Sequence, residues 1–203
     1  MDLTVAATAF VPLLLLELPD KTFIATLVLS TRYRPILAWI GVALGFVVQC
    51  LLAVTIGGLL ARLPRVPVAL AAAALFAVGA VVLWRGARAA DDTEAERELA
   101  DRVRPGVRGW RAVVASFVVV FLAEWGDLSQ LFTAGLAARY ADPVSVFVGA
   151  LAALLVVSGL AALIGRALLR RLRPATLRRA GAVVCALLAA LTLAEVAGVP
   201  VPG

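Results

Sequence analysis

Six apolar runs separated by charged punctuation constrain this chain more than any other feature of it. They extend from Leu3 to about Thr31, Pro35 to Ala61, Val66 to Trp84, about Ala112 to Ala138, Pro143 to Gly165, and roughly Ala175 to Glu195. Each is long enough to cross ~30 Å of hydrocarbon as an α-helix. A soluble core built from 203 residues has no room for so much apolar surface. Here 63% of residues are apolar and 16% charged, where soluble domains average about half and about a quarter. The solvent for these runs is lipid, and the expected fold class is an all-α membrane protein with six transmembrane helices. The first run lacks a basic start and carries charges in its second half, so it reads as a span and not as a cleavable signal.

Charge placement gives the direction of the spans. The 19 basic and 13 acidic residues leave a net charge of +6, a balance that by itself would also suit nucleic acid. The arginines, however, sit between the apolar runs. Alternate connections near residues 32–34, 85–111 and 166–179 carry 2, 7 and 6 Arg, whereas the opposite side holds Arg62, Arg65 and Arg139. The positive-inside rule places the Arg-rich side in the cytoplasm and both termini outside. Trp39, Trp84 and Trp110 fall at span ends on that same side, where indole rings favour the headgroup zone. The hydrophilic stretch Asp91–Val103 reads as a solvated linker, with Thr93 and Glu96 placed to form a capping box on a short surface helix. The expected organisation is therefore a three-helix unit over residues 1–85, a cytoplasmic linker over 86–111, and a second three-helix unit over 112–203.

The two units resemble each other. At a constant offset of 107, Phe10 matches Phe117, Glu17 matches Glu124, Asp20 matches Asp127, and Thr22 matches Ser129. Thr26 likewise matches Thr133, and Arg32-Tyr33 matches Arg139-Tyr140. Three spans is an odd number, so the second copy enters the bilayer from the opposite face. Six helices arranged as two inverted three-helix repeats are a transporter architecture, and the two copies meet near the midplane.

The acids carry the chemistry. In each copy the Glu and Asp are three residues apart, which on a continuous helix puts both carboxylates on one face. Glu17, Asp20, Glu124 and Asp127 are then expected to form one cluster, with Thr22, Ser129 and Gln130 supplying neutral oxygens. A single acid near a helix centre costs ~2.5–3.5 kcal/mol on insertion scales, so four must hold protons or a cation. Lys21 can neutralise one of them, or form a structural ion pair with Glu17. The chain has no His, and its two Cys, Cys50 and Cys185, lie deep in apolar runs as packing residues. That excludes His-based catalysis, His/Cys zinc sites and a disulfide framework. Oxygen-only donors suit calcium, manganese or magnesium. Crowded carboxylates take up protons when the metal leaves, which is the physical basis for exchanging a divalent cation against H+.

Pro19 and Gly126, each just before an Asp, should break the helix and expose carbonyls that can also ligate an ion. Gln49, Thr55 and Ser158 are candidates to line the pathway or tune its charge, or else to bond between helices. Glu195 is expected to reach interfacial water. The glycines of spans two and five (Gly41, Gly45, Gly57, Gly58, Gly149 and Gly159) are expected to permit close helix packing.

Glu17-Leu18-Pro19-Asp20-Lys21-Thr22 and Glu124-Trp125-Gly126-Asp127-Leu128-Ser129 resemble the paired Glu-x-Gly-Asp-Lys/Arg-Thr/Ser motifs of the GDT family of Ca2+/Mn2+–H+ exchangers. The resemblance covers the whole chain. It implies Mn2+ and/or Ca2+ as transported cargo, with Glu17, Asp20, Glu124 and Asp127 as ion site and Thr22 and Ser129 as hydroxyl positions. It also implies a transporter and not an enzyme. Pro19 stands where the family prefers glycine, and Leu128 where the second motif usually has a basic residue. The partners expected are a divalent cation and the lipid bilayer, with no nucleic acid and no resident cofactor; a homo-oligomer is left open. The Ala- and Arg-rich composition suits the cytoplasmic membrane of a prokaryote. Two other readings stay open at this point: a six-helix exporter of an amino acid or other small metabolite, and an intramembrane aspartyl enzyme. The second has Gly126-Asp127 but lacks the fuller Gly-x-Gly-Asp pattern.

Overall fold

A computed structural model of the protein describes residues 1–18, 21–86, 109–171 and 174–197. Among these residues there is no strand, and eight α-helices follow in order. They are α1 (Leu3–Glu17), α2 (Lys21–Arg32), α3 (Pro35–Leu60), α4 (Arg65–Gly86), α5 (Trp110–Ala123), α6 (Leu128–Tyr140), α7 (Pro143–Arg171) and α8 (Pro174–Val196). The expected linker, with the Thr93–Glu96 capping box, falls almost wholly outside the described residues. Four helices are long and apolar enough to cross a membrane, and the number becomes six if each bent pair, α1–α2 and α5–α6, is one span. The bends are 67° and 74°.

Local chemistry explains the helix ends. The Asp2 carboxylate accepts from the N–H groups of Thr4 and Val5 and so caps α1. Proline opens α3, α7 and α8, where its fixed φ is helical and its missing N–H costs nothing. α6 stops at Ala141, which is left-handed at φ 52° and returns its N–H to the Ala137 carbonyl.

Packing has a paired pattern. α1 lies against α7 as α5 lies against α3; α2 lies against α7 as α6 lies against α3; α3 packs on α7, and α4 on α8. Glycines let three of these crossings close completely. A methyl at Gly41 would overlap the Val113 carbonyl oxygen, and a methyl at Gly149 would overlap that of Ala6. Gly57 meets the Ala134 carbonyl in the same way. Small residues at crossings are how helices approach in lipid, where apolar burial alone gives little drive to associate. Phe23, Phe46, Phe76 and Phe132 fill the interior, with the Phe76 and Phe132 rings 4.8 Å apart. Large apolar side chains such as Leu51, Ile56, Val78, Val81, Leu122 and Leu163 face outward, the surface expected of a protein immersed in acyl chains.

One end of the bundle is tied by polar contacts. The Asp2 N–H donates to Ser145 Oγ at 2.7 Å, and the Ser145 hydroxyl donates to Asp142. The hydroxyl and the N–H of Ser145, both donating to Asp142, hold its carboxyl below the usual carboxylate range. At the same end the Arg139 guanidinium donates to Thr192 Oγ1 and, at 2.7 Å, to Glu195. Glu195 thus has an ion-pair partner besides the interfacial water expected for it. The start of α1, the α6–α7 turn and the end of α8 therefore share one end.

Candidate cation site

Both acid motifs sit where a helix stops. α1 ends at Glu17, after which Leu18 is extended, with its N–H on the Leu14 carbonyl. α5 ends at Ala123; the Glu124 N–H closes the last bond onto Val120, and the Asp127 N–H turns back onto the Glu124 carbonyl. Gly126 has φ 73°, a region that glycine enters at little cost. Asp127 then stands at the N-cap of α6 in extended conformation, and its side chain makes no capping hydrogen bond. This corrects the expectation that the acids of a motif share one face of a continuous helix. In the second motif the helix has ended before Glu124, and a tight turn brings the two acids together.

The convergence expected between the two motifs is present for three of the four acids. Carboxylate oxygens of Glu17, Glu124 and Asp127 all lie within 4.8 Å of one another. Glu17 and Glu124 are 1% and 2% exposed, and Asp127 is half-buried. Pro19 and Asp20 lie outside the described residues, as does the Lys21 side chain. The helix ends add to the field. α1 and α5 direct their negative, carbonyl ends at Glu17 and Glu124, while the positive N-terminal end of α6 lies at Asp127. Two buried carboxylates at helix carbonyl ends make a place of negative potential away from water, which favours a cation.

The neutral oxygens divide. Thr22 is fully buried, and its Oγ1 has no hydrogen-bond partner among the described residues, so it is available to a ligand. Ser129 is buried in the first turn of α6. It lines a gap of about 10 Å3 with Gln49, Cys50, Ala53, Gln130, Thr133 and Leu154. Such a space holds about one water. Gln130 Oε1 accepts from the Gly126 N–H at 2.9 Å and holds the turn. Gln49 donates to the Phe121 carbonyl at 3.1 Å.

Thr55 is exposed, and its hydroxyl bonds to Leu51 of its own helix. Ser158 is buried and bonds to Leu154 and Leu155 of its own helix. Neither reaches the acids through these bonds. Cys50 and Thr133 beside the gap carried no signal in the sequence beyond small size and the Thr26–Thr133 match. Both cysteines are free and buried, as packing residues should be.

The turn supplies a direct test. A Cβ on Gly126 would meet no atom within 4 Å, so Gly126→Ala should cost only the left-handed backbone, about 1–2 kcal/mol. Thermal unfolding in detergent should register that loss together with a weaker cation response. An unchanged midpoint would mean that the turn has another shape.

Comparison with known proteins identifies the family of the chain. The family model for "Divalent cation/proton antiporter GDT1" matches residues 5–91 and 112–199, so it covers both motifs. A GDT1-like protein of Synechocystis sp., sll0615, is 37% identical over 145 residues, which is 64% of this chain and 70% of the relative. Protein PAM71, chloroplastic, of Arabidopsis thaliana is 29% identical over 210 residues, 94% of this chain; the match spans 56% of the plant protein's length. No solved structure matches. With the family model matching most of its length and both acid motifs inside the match, this chain belongs to the divalent cation/proton antiporter family GDT1.

Proposed function

We propose that this protein exports Mn2+ and/or Ca2+ from the cytoplasm of a prokaryote in exchange for protons, through the carboxylate cluster at its two helix breaks. The observation that carries the reading is the convergence of Glu17, Glu124 and Asp127 from separate halves of the chain. Hard oxygen donors without nitrogen or thiolate ligands select this class of cation. Asp20, Thr22, Ser129 and Gln130 complete the donor set, and Lys21 tunes the charge of the first motif. When the cation leaves, the crowded carboxylates take protons in its place, and the next cation displaces them.

The same reading orders the halves as inverted three-helix repeats on either side of a cytoplasmic linker, with both termini outside. Supporting it are the odd number of spans per half, the paired packing of α1 on α7 and α5 on α3, and the skewed arginine distribution. The closed Gly41–Val113 and Gly149–Ala6 crossings occupy corresponding places in that scheme.

Proteoliposomes carrying a pH-sensitive dye test the function. An imposed Mn2+ or Ca2+ gradient should drive protons the opposite way, and a pH gradient should drive labelled cation. Cation movement without proton movement would overturn exchange. Displacement of label by amino acids but by neither cation would favour a metabolite exporter.

A further inference from the structure

We propose that Gln49 is a positioning residue, one that sets the affinity of the cation site by capping the carbonyl end of α5 and so fixing Glu124. The inference rests on the cation–proton reading given above and deepens it.

Gln49 belongs to α3, a 26-residue helix without a charged residue, and is 5% exposed. A primary amide buried in such surroundings costs free energy unless it is hydrogen-bonded. Its Nε2 donates to the Phe121 carbonyl at 3.1 Å, across to a different helix. That carbonyl belongs to the last turn of α5, where the carbonyls lack intrahelical donors. The helix closes with the Glu124 N–H on Val120, so the donor that a continuing helix would offer Phe121 is the Trp125 N–H, in the turn. Inside a bilayer no bulk water can take over that role, whereas the Gln49 amide can.

The bond sits three residues before Glu124 and beside the gap that Ser129 and Gln130 line. Gln49 thus holds the end of α5 from one side while Gln130 holds the Gly126 N–H from the other. The first half needs no such cap: the Leu18 N–H closes onto the Leu14 carbonyl at 3.2 Å. The positions corresponding to Gln49 in the second half, Val156 and Val157, are apolar. The cap therefore serves one motif only, the one with glycine at the break and Leu128 in place of a basic residue.

Gln49→Met keeps the volume and loses the donor, while Gln49→Asn keeps a donor on a shorter arm. Mn2+ binding to the purified full-length protein, read from the free-Mn2+ EPR signal, should weaken about tenfold in Gln49→Met and less in Gln49→Asn. In proteoliposomes KM should rise by the same factor, with maximal flux kept within about twofold. A double-mutant cycle with Glu124→Asp, which keeps the charge but moves the carboxylate, separates positioning from general packing. Once that carboxylate is out of place, Gln49→Met should weaken Mn2+ binding little further, whereas a packing role would make the two losses add. Binding in Gln49→Met within twofold of the parent, or additive losses, would overturn the inference and leave the functional reading intact. A parent that binds no Mn2+ or Ca2+ overturns both. If Gln49→Met does not fold, Gln49→Asn decides on the same measurements.

Discussion

Glu17→Gln is expected to abolish cation-driven proton flux, by roughly 100-fold or more, while the protein folds at least as well as the parent. Ligand-supporting groups around metals are already worth ~10–100-fold, and Glu17 contributes a carboxylate of the cluster itself. The amide is nearly isosteric, so the packing of this buried position survives. Replacing a buried carboxylate by a neutral group removes a desolvation cost, so metal-free Glu17→Gln should unfold at or above the parent's temperature. The cation response moves the other way. A ligand at about 100 times its Kd stabilises the folded state by ~2.7 kcal/mol, and Mn2+ should raise the parent's midpoint and barely move the variant's. Equal Mn2+ stabilisation of both proteins would show that the cation binds elsewhere.

Gly149→Val should be the most damaging substitution outside the acids. The added side chain would overlap the Ala6 carbonyl, which is backbone and cannot rotate away. Forcing atoms into a closed contact costs ~1–3 kcal/mol, and more where the neighbour cannot yield. A loss of ~3 kcal/mol or more is expected, read as a large drop in thermal midpoint and in monodisperse yield. Gly41→Val, against Val113, should behave alike. The control is Gly58→Ala: its Cβ meets nothing within 4 Å, and the gain in helix propensity should stabilise by up to ~1 kcal/mol. Similar losses at Gly149 and Gly58 would show that the α1–α7 crossing is looser than drawn.

The spans were legible because lipid imposes length and hydropathy on each helix separately, and the α3 and α7 starts fall at Pro35 and Pro143 as read. The acids were legible because carboxylates in an apolar run have few other reasons to be there. The order within each motif was harder. Gly126 marked a break in the second motif, but nothing in the sequence showed that the turn after it carries the Asp127 N–H back onto the Glu124 carbonyl. Gln49 shows the other limit: its partner is a main-chain oxygen of Phe121, and no side-chain pattern marks which carbonyl loses its donor. Glu195 pairs with Arg139 for a related reason, since the two are 56 positions apart and meet only when α8 docks.

The closed crossings at Gly41 and Gly149 carry one more consequence. α3 meets α5 at Gly41 and α6 at Gly57 with no slack at either place, so it splints the break that carries Glu124, while Gly149 locks α1 to α7. Under the exchange proposed above, the site would open where these two stiff frames meet, with Glu124 and Asp127 on one and Glu17 on the other.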